Sequence, residues 1–252
     1  MPIIPNEIYF TIFEHIGPPT RRLSETEADI FANLACVCRF FANFCLPRVF
    51  EYVSFPGYVY YVPPPSGTTL CIRIAAKQPL TLALAKLVKG CSISSWRLKE
   101  WPIVEMYIAA MLHMTNIREL EFVNSFVGVE HWDAIATLES LEKLTFYGCN
   151  FPHWQGPADV GPKKRIKVPH LRVNGCPKLR PPIAAIDPRY LRTLAVDNKF
   201  FDHVDWLSPS ALTELYITIL PWQTIDATLD HMQRLHTILV QAHQSRENHG
   251  FL

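Results

Sequence analysis

The chain has 252 residues, of which 49% are hydrophobic and 19% are charged, and its formal net charge is +1. An intrinsically disordered chain needs low hydrophobicity and high net charge, so this composition excludes that class. Binders of nucleic acid or of anionic membranes carry a lopsided charge, so the near-neutral balance argues against both partners. Pro contributes 21 residues and Gly only 10, which favours many short elements over a few long ones.

Seven cysteines are spread along the chain, and no CxxC pair of the zinc-binding or thioredoxin type occurs. The first residues, MPIIPNEIYF, lack the basic region of a secretory signal, and the longest apolar stretches are too short to span a bilayer. We therefore expect a protein of the cytoplasm or nucleus, whose cysteines act as small core hydrophobes.

The first predicted element is a short helix over residues 5–16. Its apolar residues Ile8, Ile12 and Ile16 recur at every fourth position, so one helix face is apolar. Pro5 lies at the start, where its missing N–H costs nothing, and a Gly-Pro-Pro sequence ends the helix.

The second predicted element begins with Ser24 and Glu27, which have the spacing of a capping box. This pattern predicts one helix from Ser24 to about Phe44. Its main apolar stripe is Ile30, Leu34, Val37, Phe41 and Phe44, and a second stripe beside it is Phe31, Ala35, Cys38 and Cys45. Two short helices cannot cover so much apolar surface, so the rest of the chain or a partner must cover it.

Four sequence pieces follow one another in this region. They are Ile4-Pro5-Asn6-Glu7-Ile8, then Ile12-Phe13 with Ile16, then Leu34-x-x-Val37-Cys38-Arg39-x-Phe41, then Leu46-Pro47-Arg48-Val49-Phe50. In this order they resemble an F-box, whose pattern is a Leu-Pro-x-Glu-Ile opening, an Ile-Phe pair, a Leu-x-x-Val-Cys-Arg-x-Trp helix and a short strand after a proline. Ile4 and Phe41 replace the usual Leu and Trp, and the connection over residues 17–29 is longer than is typical. The resemblance covers about residues 3–55.

The F-box resemblance implies binding to a Skp-type adaptor, which attaches the F-box to the cullin scaffold of a ubiquitin ligase. An amphipathic helical pair would bury its exposed face in a partner groove. The implied adaptor-binding residues are Ile4, Pro5, Glu7, Ile8, Ile12, Phe13, Ile16, Ile30, Leu34, Val37, Cys38, Arg39 and Phe41. In the alternative interpretation, residues 1–55 are only an N-terminal helical cap on the following domain.

A second pattern recurs in the rest of the chain and is clearest in Leu138-x-x-Leu141-x-x-Leu144-x-Phe146. The predicted strand anchors are Ile72, Trp96, Leu120, Leu144, Leu171, Leu194, Leu215 and Ile238. Their spacings of 21 to 27 residues match the ~20–29 residues of leucine-rich repeats. Each unit would contain one short strand and one return segment. Helical returns are predicted over 79–88, 102–114 and 221–232, and irregular, proline-rich returns over 160–169 and 181–190.

These patterns predict an α/β chain that resembles fungal-type F-box proteins with leucine-rich repeats. An all-α F-box-like domain over 1–55 would be followed by a linker over 56–68. A degenerate leucine-rich-repeat solenoid over 69–252, with short parallel strands and helical or irregular returns, would bind the target. The polar stretch after Val240 offers no capping repeat, which is the pattern expected of a truncated chain. A non-solenoid α/β domain whose leucines recur by chance is the alternative.

In such a solenoid, the strand residues that follow the anchors would face the concave surface. This column is Arg73, Arg97, Glu121, Thr145, Arg172, Ala195, Tyr216 and Leu239. Its mixed charges suit a protein or peptide better than nucleic acid, which requires a uniform basic track. The candidate target-binding residues are Arg97, Glu121, Thr145, Arg172, Tyr216 and Leu239.

The sequence contains no GxSxG, P-loop or HExxH motif, so we expect neither catalysis nor a cofactor or metal. The expected function is that of a non-catalytic substrate-receptor subunit of a cullin-type ubiquitin ligase, with an unidentified target protein. Two alternatives are a leucine-rich-repeat scaffold outside any ligase and a small hydrolase with a Cys or Ser nucleophile. A nucleophile within hydrogen-bonding distance of a histidine inside a cleft would favour the hydrolase.

Overall fold

The computed structural model describes residues 6–16, 23–56, 66–94, 102–151, 165–176, 185–197 and 211–218. The helices in these ranges are α1 (Asn6–Ile16), α2 (Glu25–Ala35), α3 (Arg39–Val49), α4 (Ser66–Ala75), α5 (Pro79–Ala85), α6 (Pro102–Met111) and α7 (Val129–Ile135). The strands are β1 (Tyr52–Pro56), β2 (Gly90–Ser94), β3 (Glu119–Val123), β4 (Lys143–Tyr147), β5 (His170–Asn174), β6 (Thr193–Asp197) and β7 (Glu214–Thr218).

The seven strands form one sheet in which every neighbouring pair is parallel and the spatial order follows the chain order. Each crossover therefore leads to the adjacent strand in the same direction along the sheet. Because parallel crossovers share one hand, we find the return helices α4, α5, α6 and α7 on one face of the sheet, where each contributes to the same core. The expected α/β class with parallel strands is thus confirmed.

The repeated leucines occupy equivalent places in this sheet. Leu120, Leu144, Leu171, Leu194 and Leu215 are register partners from strand to strand, as the spacing predicts. The first four are buried, and Leu215 packs against the same core. The residues three positions earlier in the first four units are buried as well, namely Ile117, Leu141, Val168 and Leu191. In this part of the chain the leucine pattern therefore identifies residues on the buried side of successive strands.

The first predicted anchor is wrong. Ile72 lies in helix α4 and is 50% exposed, while Val53 of β1 and Cys91 of β2 occupy the anchor register. The buried residues of α4 are Cys71 and Ile74, whose three-residue spacing belongs to a helix. Two further predicted anchors, Trp96 and Ile238, lie outside the described residues and stay predictions.

Strand β1 joins the sheet directly after the N-terminal helices. Its Val53 and Phe55 are buried in the core beneath the sheet, so the predicted boundary at residue 55 falls within a strand of the sheet. Helix α4 begins at Ser66, inside the segment predicted as a linker over 56–68.

The predicted single helix from Ser24 to Phe44 is wrong, although its start is confirmed. Ser24 Oγ accepts a hydrogen bond from Glu27 N at 3.3 Å, and Glu27 Oε2 accepts one from Ser24 N at 2.8 Å. The helix ends at Ala35, and α3 begins after Cys38, whose backbone is extended. The break lets Phe31 stack on Phe44 with ring centroids 6.5 Å apart. In one straight helix the same residues would lie about 20 Å apart.

Helices α1, α2 and α3 enclose a small core of their own, which we call the head core. Phe31 and Cys45 are fully buried in it, and Tyr9 packs edge-on against Phe41 with centroids 5.3 Å apart. The partly buried members are Tyr9, Leu23, Leu34, Ala35, Phe41, Phe44 and Val49. This cluster is separate from the core beneath the sheet, so the helical head folds around its own apolar centre.

The return segments follow the prediction in part. Helices α5 and α6 confirm the predicted helical returns and begin at Pro79 and Pro102, where a missing N–H is tolerated. Helix α7 was not predicted. The described parts of the irregular returns, 165–169 and 186–190, are non-helical, and a short bridge joins Ile166 to Ile186. Ala185, within the second of these returns, is helical. The predicted helix over 221–232 lies outside the described residues.

One turn is repeated after three successive strands. Asn124, Gly148 and Gly175 directly follow β3, β4 and β5, respectively. Their φ angles are all positive, at 49°, 61° and 65°. Glycine adopts this left-handed region freely, and Asn is among the residues that tolerate it best. The three strands therefore leave the sheet through the same backbone geometry, as units of a repeat should.

The next residue in each of these turns is buried and small: Ser125, Cys149 and Cys176. Ser125 Oγ donates to Ile93 O at 3.1 Å, and Cys149 Sγ donates to Phe122 O at 3.2 Å, so each side chain satisfies a carbonyl of the preceding strand. A hydrogen bond shared with Cys149, together with burial, raises the pKa of Cys176.

Five of the seven cysteines are buried, as the sequence predicts: Cys45, Cys71, Cys91, Cys149 and Cys176. Burial raises the pKa of Cys71 and Cys91, so these thiols stay neutral and serve as core hydrophobes. The expectation is wrong for Cys36 and Cys38, which are exposed at the junction of α2 and α3.

Alanine substitution at the two glycines of the repeated turn should destabilise the protein to different extents. We expect Gly148→Ala to lower the free energy of unfolding by more than the ~1–2 kcal/mol that a left-handed alanine costs, because the added Cβ would also overlap Asn124 Oδ1. Gly175→Ala is the matched control, since its Cβ would lie 3.7 Å from the nearest backbone atom. Urea denaturation compares the two variants, and an equal loss in both would contradict this account of the turn.

Buried His131 predicts a pH dependence of stability. Its Nδ1 accepts a hydrogen bond from Gly128 N at 3.1 Å at the start of α7, and its ring lies edge-on to Phe122. Burial lowers the pKa of His131 from 6.5, although Glu130 Oε1, 3.7 Å from Nδ1, opposes this effect. Below pH 6.5 the His131 imidazole is therefore protonated in the unfolded chain before it is protonated in the folded chain.

The stabilising contribution of neutral His131 is accordingly complete above pH 6.5 and declines as the pH falls through the lowered pKa. We expect the free energy of unfolding of the wild type to fall more steeply below pH 6.5 than that of His131→Gln, whose amide can still accept from Gly128 N. Denaturant titrations at several pH values measure both slopes, and identical slopes would remove His131 as the cause.

Candidate protein-interaction surfaces

Four aliphatic side chains of the helical head are exposed to solvent. Ile8 and Ile12, one turn apart on α1, are 49% and 47% exposed, and Ile30 on α2 is 40% exposed. Val37, in the junction between α2 and α3, is 66% exposed. We call these four residues the head surface. Phe31, the neighbour of Ile30, fills the head core, so the exposed side chains are those that internal packing does not use.

The remaining predicted adaptor-binding residues are distributed between the interior and the outside of the head. Leu34 and Phe41 pack against the head core, and Cys38 and Arg39 are exposed where α3 begins. Glu7, Phe13 and Ile16 lie on α1, whereas Ile4 and Pro5 lie outside the described residues. The sequence-based prediction did not separate the inner Leu34 and Phe41 from the outer Ile30 and Val37. It placed all four on one apolar stripe of a single unbroken helix.

The predicted concave column is largely a real row across the sheet. Glu121, Thr145, Arg172, Ala195 and Tyr216 are register partners on five consecutive strands. Arg73 does not belong to the row, because it lies on α4, and Arg97 and Leu239 lie outside the described residues.

The sequence missed the first two members of the row, Ser54 and Ser92. No leucine marks β1 and β2, so only the short alternations Val53-x-Phe55 and Cys91-x-Ile93 could have identified these strands. We call the side of the sheet that carries this row, with the first and last residues of each strand, the sheet face.

Polar contacts engage the carboxylates of the sheet face. Tyr52 Oη donates to Glu121 Oε2 at 3.3 Å, and Lys143 Nζ lies 3.5 Å from Glu119 Oε2. Glu214 Oε2 accepts from Thr193 Oγ1 at 3.2 Å and from Tyr216 Oη at 3.3 Å. The exposed acidic groups of the sheet face therefore already have partners.

The sheet face contains an open depression of about 520 Å³ that extends from β4 to β7, which we call the β4–β7 depression. Thr193 and Ala195 are small and lie between larger side chains of the neighbouring strands, which makes the surface concave here. The lining residues are Lys143, His170, Leu171, Arg172, Thr193, Ala195 and Tyr216. None of the described residues that line this depression is acidic.

A second depression, of about 460 Å³, lies where α3 meets the amino ends of β2 and β3. Its basic side chains include Arg48, Lys86, Lys89 and Arg118. Glu51 pairs with Arg48 at 2.5 Å and with Lys89 at 3.0 Å, so much of this charge is neutralised internally. These ion pairs tie the end of the head to the edge of the sheet.

The described residues do not assemble a catalytic or metal-binding cluster. Ser24 donates to the Glu27 carboxylate, the side chains of Cys36, Ser125, Cys149 and Cys176 donate to backbone carbonyls, and Cys149 and Cys176 also share a hydrogen bond. No hydrogen bond between a Ser or Cys side chain and a histidine is present within the described residues. In the same ranges no group of three His, Cys, Asp or Glu residues is arranged to hold a metal ion. The nucleophile–histidine pair that would favour the hydrolase alternative is therefore not among the contacts of the described residues.

None of the helices in the described ranges has the length and apolar character needed to cross a lipid bilayer.

No protein-family model matches the chain, and no curated protein is significantly similar to it. The case for each surface consequently depends on the residues and geometry of this chain.

Proposed function

We propose that this chain is a substrate-receptor subunit of a cullin-type, SCF-like ubiquitin ligase. In this proposal the helical head docks onto a Skp-type adaptor and through it onto a cullin, and the sheet face binds a target protein. The observation that carries the proposal is the exposure of Ile8, Ile12, Ile30 and Val37, none of which belongs to the described head core. The order of the F-box-like sequence pieces supports the same conclusion.

The energetics of the head favour a partner. Burying an aliphatic side chain completely is worth roughly 1.5–3 kcal/mol, so covering the exposed half of each of the four would contribute roughly 1 kcal/mol per side chain. Such a contribution is appropriate for helices that lie in an apolar groove of another protein. A helical cap that served only the sheet would instead turn these side chains towards the sheet.

We further propose that the body of the chain is a degenerate leucine-rich-repeat solenoid. Three observations support this: the consecutive strand order, the register-equivalent leucines, and the turn repeated at Asn124, Gly148 and Gly175. In a solenoid each unit packs on its neighbours and exposes one continuous sheet face, which suits the binding of an extended partner.

The proposed role is positional. The ligase would transfer ubiquitin because the receptor holds a target lysine near a charged ubiquitin carrier, and proximity of this kind raises effective concentration. Under this proposal the chain contributes no acid, base or nucleophile to the transfer.

Co-purification tests the proposal. The full chain and a Skp-type adaptor are co-expressed and separated by size-exclusion chromatography, and we expect one complex with equal amounts of both proteins. A chain that elutes without the adaptor would contradict the ligase proposal. That result would instead favour a leucine-rich-repeat scaffold whose head serves as a cap.

A further inference from the structure

We propose that the β4–β7 depression binds an extended acidic segment of a target protein, with a carboxylate of the segment on Arg172 and Lys143. The description of this ligand as a target rests on the proposed function. The binding itself depends only on the sheet face.

Three nitrogen-bearing side chains converge at the depression. Lys143 and His170 are register partners on β4 and β5, and Arg172 lies two residues along β5, on the same side of the sheet as His170. Adjacent strands lie about 4.8 Å apart and alternate residues of one strand about 7 Å apart, so one carboxylate can reach two of these side chains. All three side chains are exposed.

The basic side chains of this site stay available to a ligand. Lys143 has one acidic neighbour, Glu119, at 3.5 Å, and both side chains are about half exposed, so water screens the pair and a ligand can compete for the lysine. No ion pair of Arg172 with an acidic residue is present among the described residues. Arg172 Nε donates to the side-chain oxygen of Asn174 at 3.1 Å, and the two terminal nitrogens of the guanidinium offer a planar pair of donors that matches a carboxylate.

The shape of the depression indicates an extended peptide. Thr193 and Ala195 form a low floor between Arg172 on β5 and the exposed ring of Tyr216 on β7. Glu214 holds the hydroxyl of Tyr216, which leaves the ring as a wall for an apolar or small side chain next to the carboxylate. A segment that alternates acidic and apolar residues therefore fits both walls.

The surrounding charges disfavour a nucleic acid. Glu119, Glu121 and Glu214 lie on the same face, on the strands that flank the basic group. A phosphate backbone needs a continuous basic track, and these carboxylates would repel it on both sides. A peptide can place one carboxylate on the basic group and apolar side chains elsewhere, which a phosphate backbone cannot do.

Fluorescence anisotropy with the full chain tests the inference. The probe is a fluorescein-labelled peptide of ten residues in which Glu alternates with Val, and the comparison ligands are the same peptide with Lys in place of Glu and a single-stranded oligonucleotide of equal charge. We expect binding of the Glu peptide alone, and weaker binding as the salt concentration rises.

Arg172→Gln should weaken binding of the Glu peptide about tenfold, because a charge-assisted hydrogen bond is lost. Arg118→Gln is the matched control, since Arg118 is exposed, lies at the amino end of β3 outside the depression, and should change binding less than about twofold. Failure of the Glu peptide to bind, tighter binding of the oligonucleotide, or equal binding by wild type and Arg172→Gln would each overturn the inference.

Capture of the Skp-type adaptor is measured on the same preparations. A chain that captures the adaptor but does not bind the peptide refutes the acidic-segment inference alone. A chain that binds the peptide but not the adaptor refutes the ligase proposal alone.

Discussion

Phe146→Ala is expected to lower the free energy of unfolding by about 3–5 kcal/mol, the usual cost of truncating a fully buried phenylalanine. Phe146 lies at the centre of an aromatic cluster beneath β4. Its ring stacks on Phe122 at 5.5 Å and contacts Trp132 at 5.3 Å and Phe151 at 5.4 Å between centroids. The cluster joins two strands, the return helix α7 and the segment after β4, so a cavity there weakens several units at once.

The neighbouring residue provides the control for this variant. Tyr147 lies one position along β4, faces the opposite side of the sheet and is 55% exposed. Tyr147→Ala should change the free energy of unfolding by less than about 1 kcal/mol. Urea denaturation followed by circular dichroism measures both variants. An equal loss for Phe146→Ala and Tyr147→Ala would show that the buried face of β4 has been assigned wrongly.

Ile12→Asp combined with Val37→Asp is expected to weaken adaptor binding about a hundredfold, because two carboxylates would be carried into an apolar groove. Both residues are exposed in the free chain, so the variant should keep the thermal stability of the wild type. Titration of the adaptor against each chain measures the affinity, and a thermal melt checks the folding of the head.

Ile72→Asp is the matched control for the head variant. Ile72 is an isoleucine of comparable exposure on α4, outside the head, and its replacement should leave adaptor binding unchanged. Phe31→Ala distinguishes loss of contact from loss of folding, since Phe31 is fully buried and its truncation should reduce binding and stability together. Adaptor binding that weakens equally with Ile72→Asp and with the head variant would argue against a specific head surface.

The sequence predicted the central part of the sheet because each unit there places the same residues on the buried side. Leu120, Leu144, Leu171 and Leu194 each precede a second buried residue two positions later, and a period of two is the direct consequence of strand geometry. Helices α5 and α6, which begin with proline, were equally predictable, since the preference for Pro at the first helical position is local.

The features that the sequence missed depend on contacts between distant residues. Nothing local marks the end of α2 at residues 36–38, because no Gly or Pro occurs there. The break is favoured by the packing of Phe31 and Cys45 in one core. Likewise, Ile72 and Ile74 resemble a strand pair locally, but α4 buries Ile74 against the sheet and leaves Ile72 outside.

The candidate sites were predictable to different extents. The row from Glu121 to Tyr216 followed from the repeat spacing, since equivalent positions in a repeat become register partners. The β4–β7 depression did not follow, because it arises from small Thr193 and Ala195 on β6 beside large side chains on other strands. The head surface also required the structure, which separates exposed Ile30 and Val37 from inner Leu34 and Phe41.

Hydrogen–deuterium exchange of the full chain, with and without a purified Skp-type adaptor, tests the central claim most directly. Docking through the helical head predicts slower exchange in α1, α2 and the junction at residues 36–38, with no change in β3 to β6. An unchanged exchange pattern throughout the chain, or protection confined to the sheet face, would contradict the claim that the head is the adaptor-binding element.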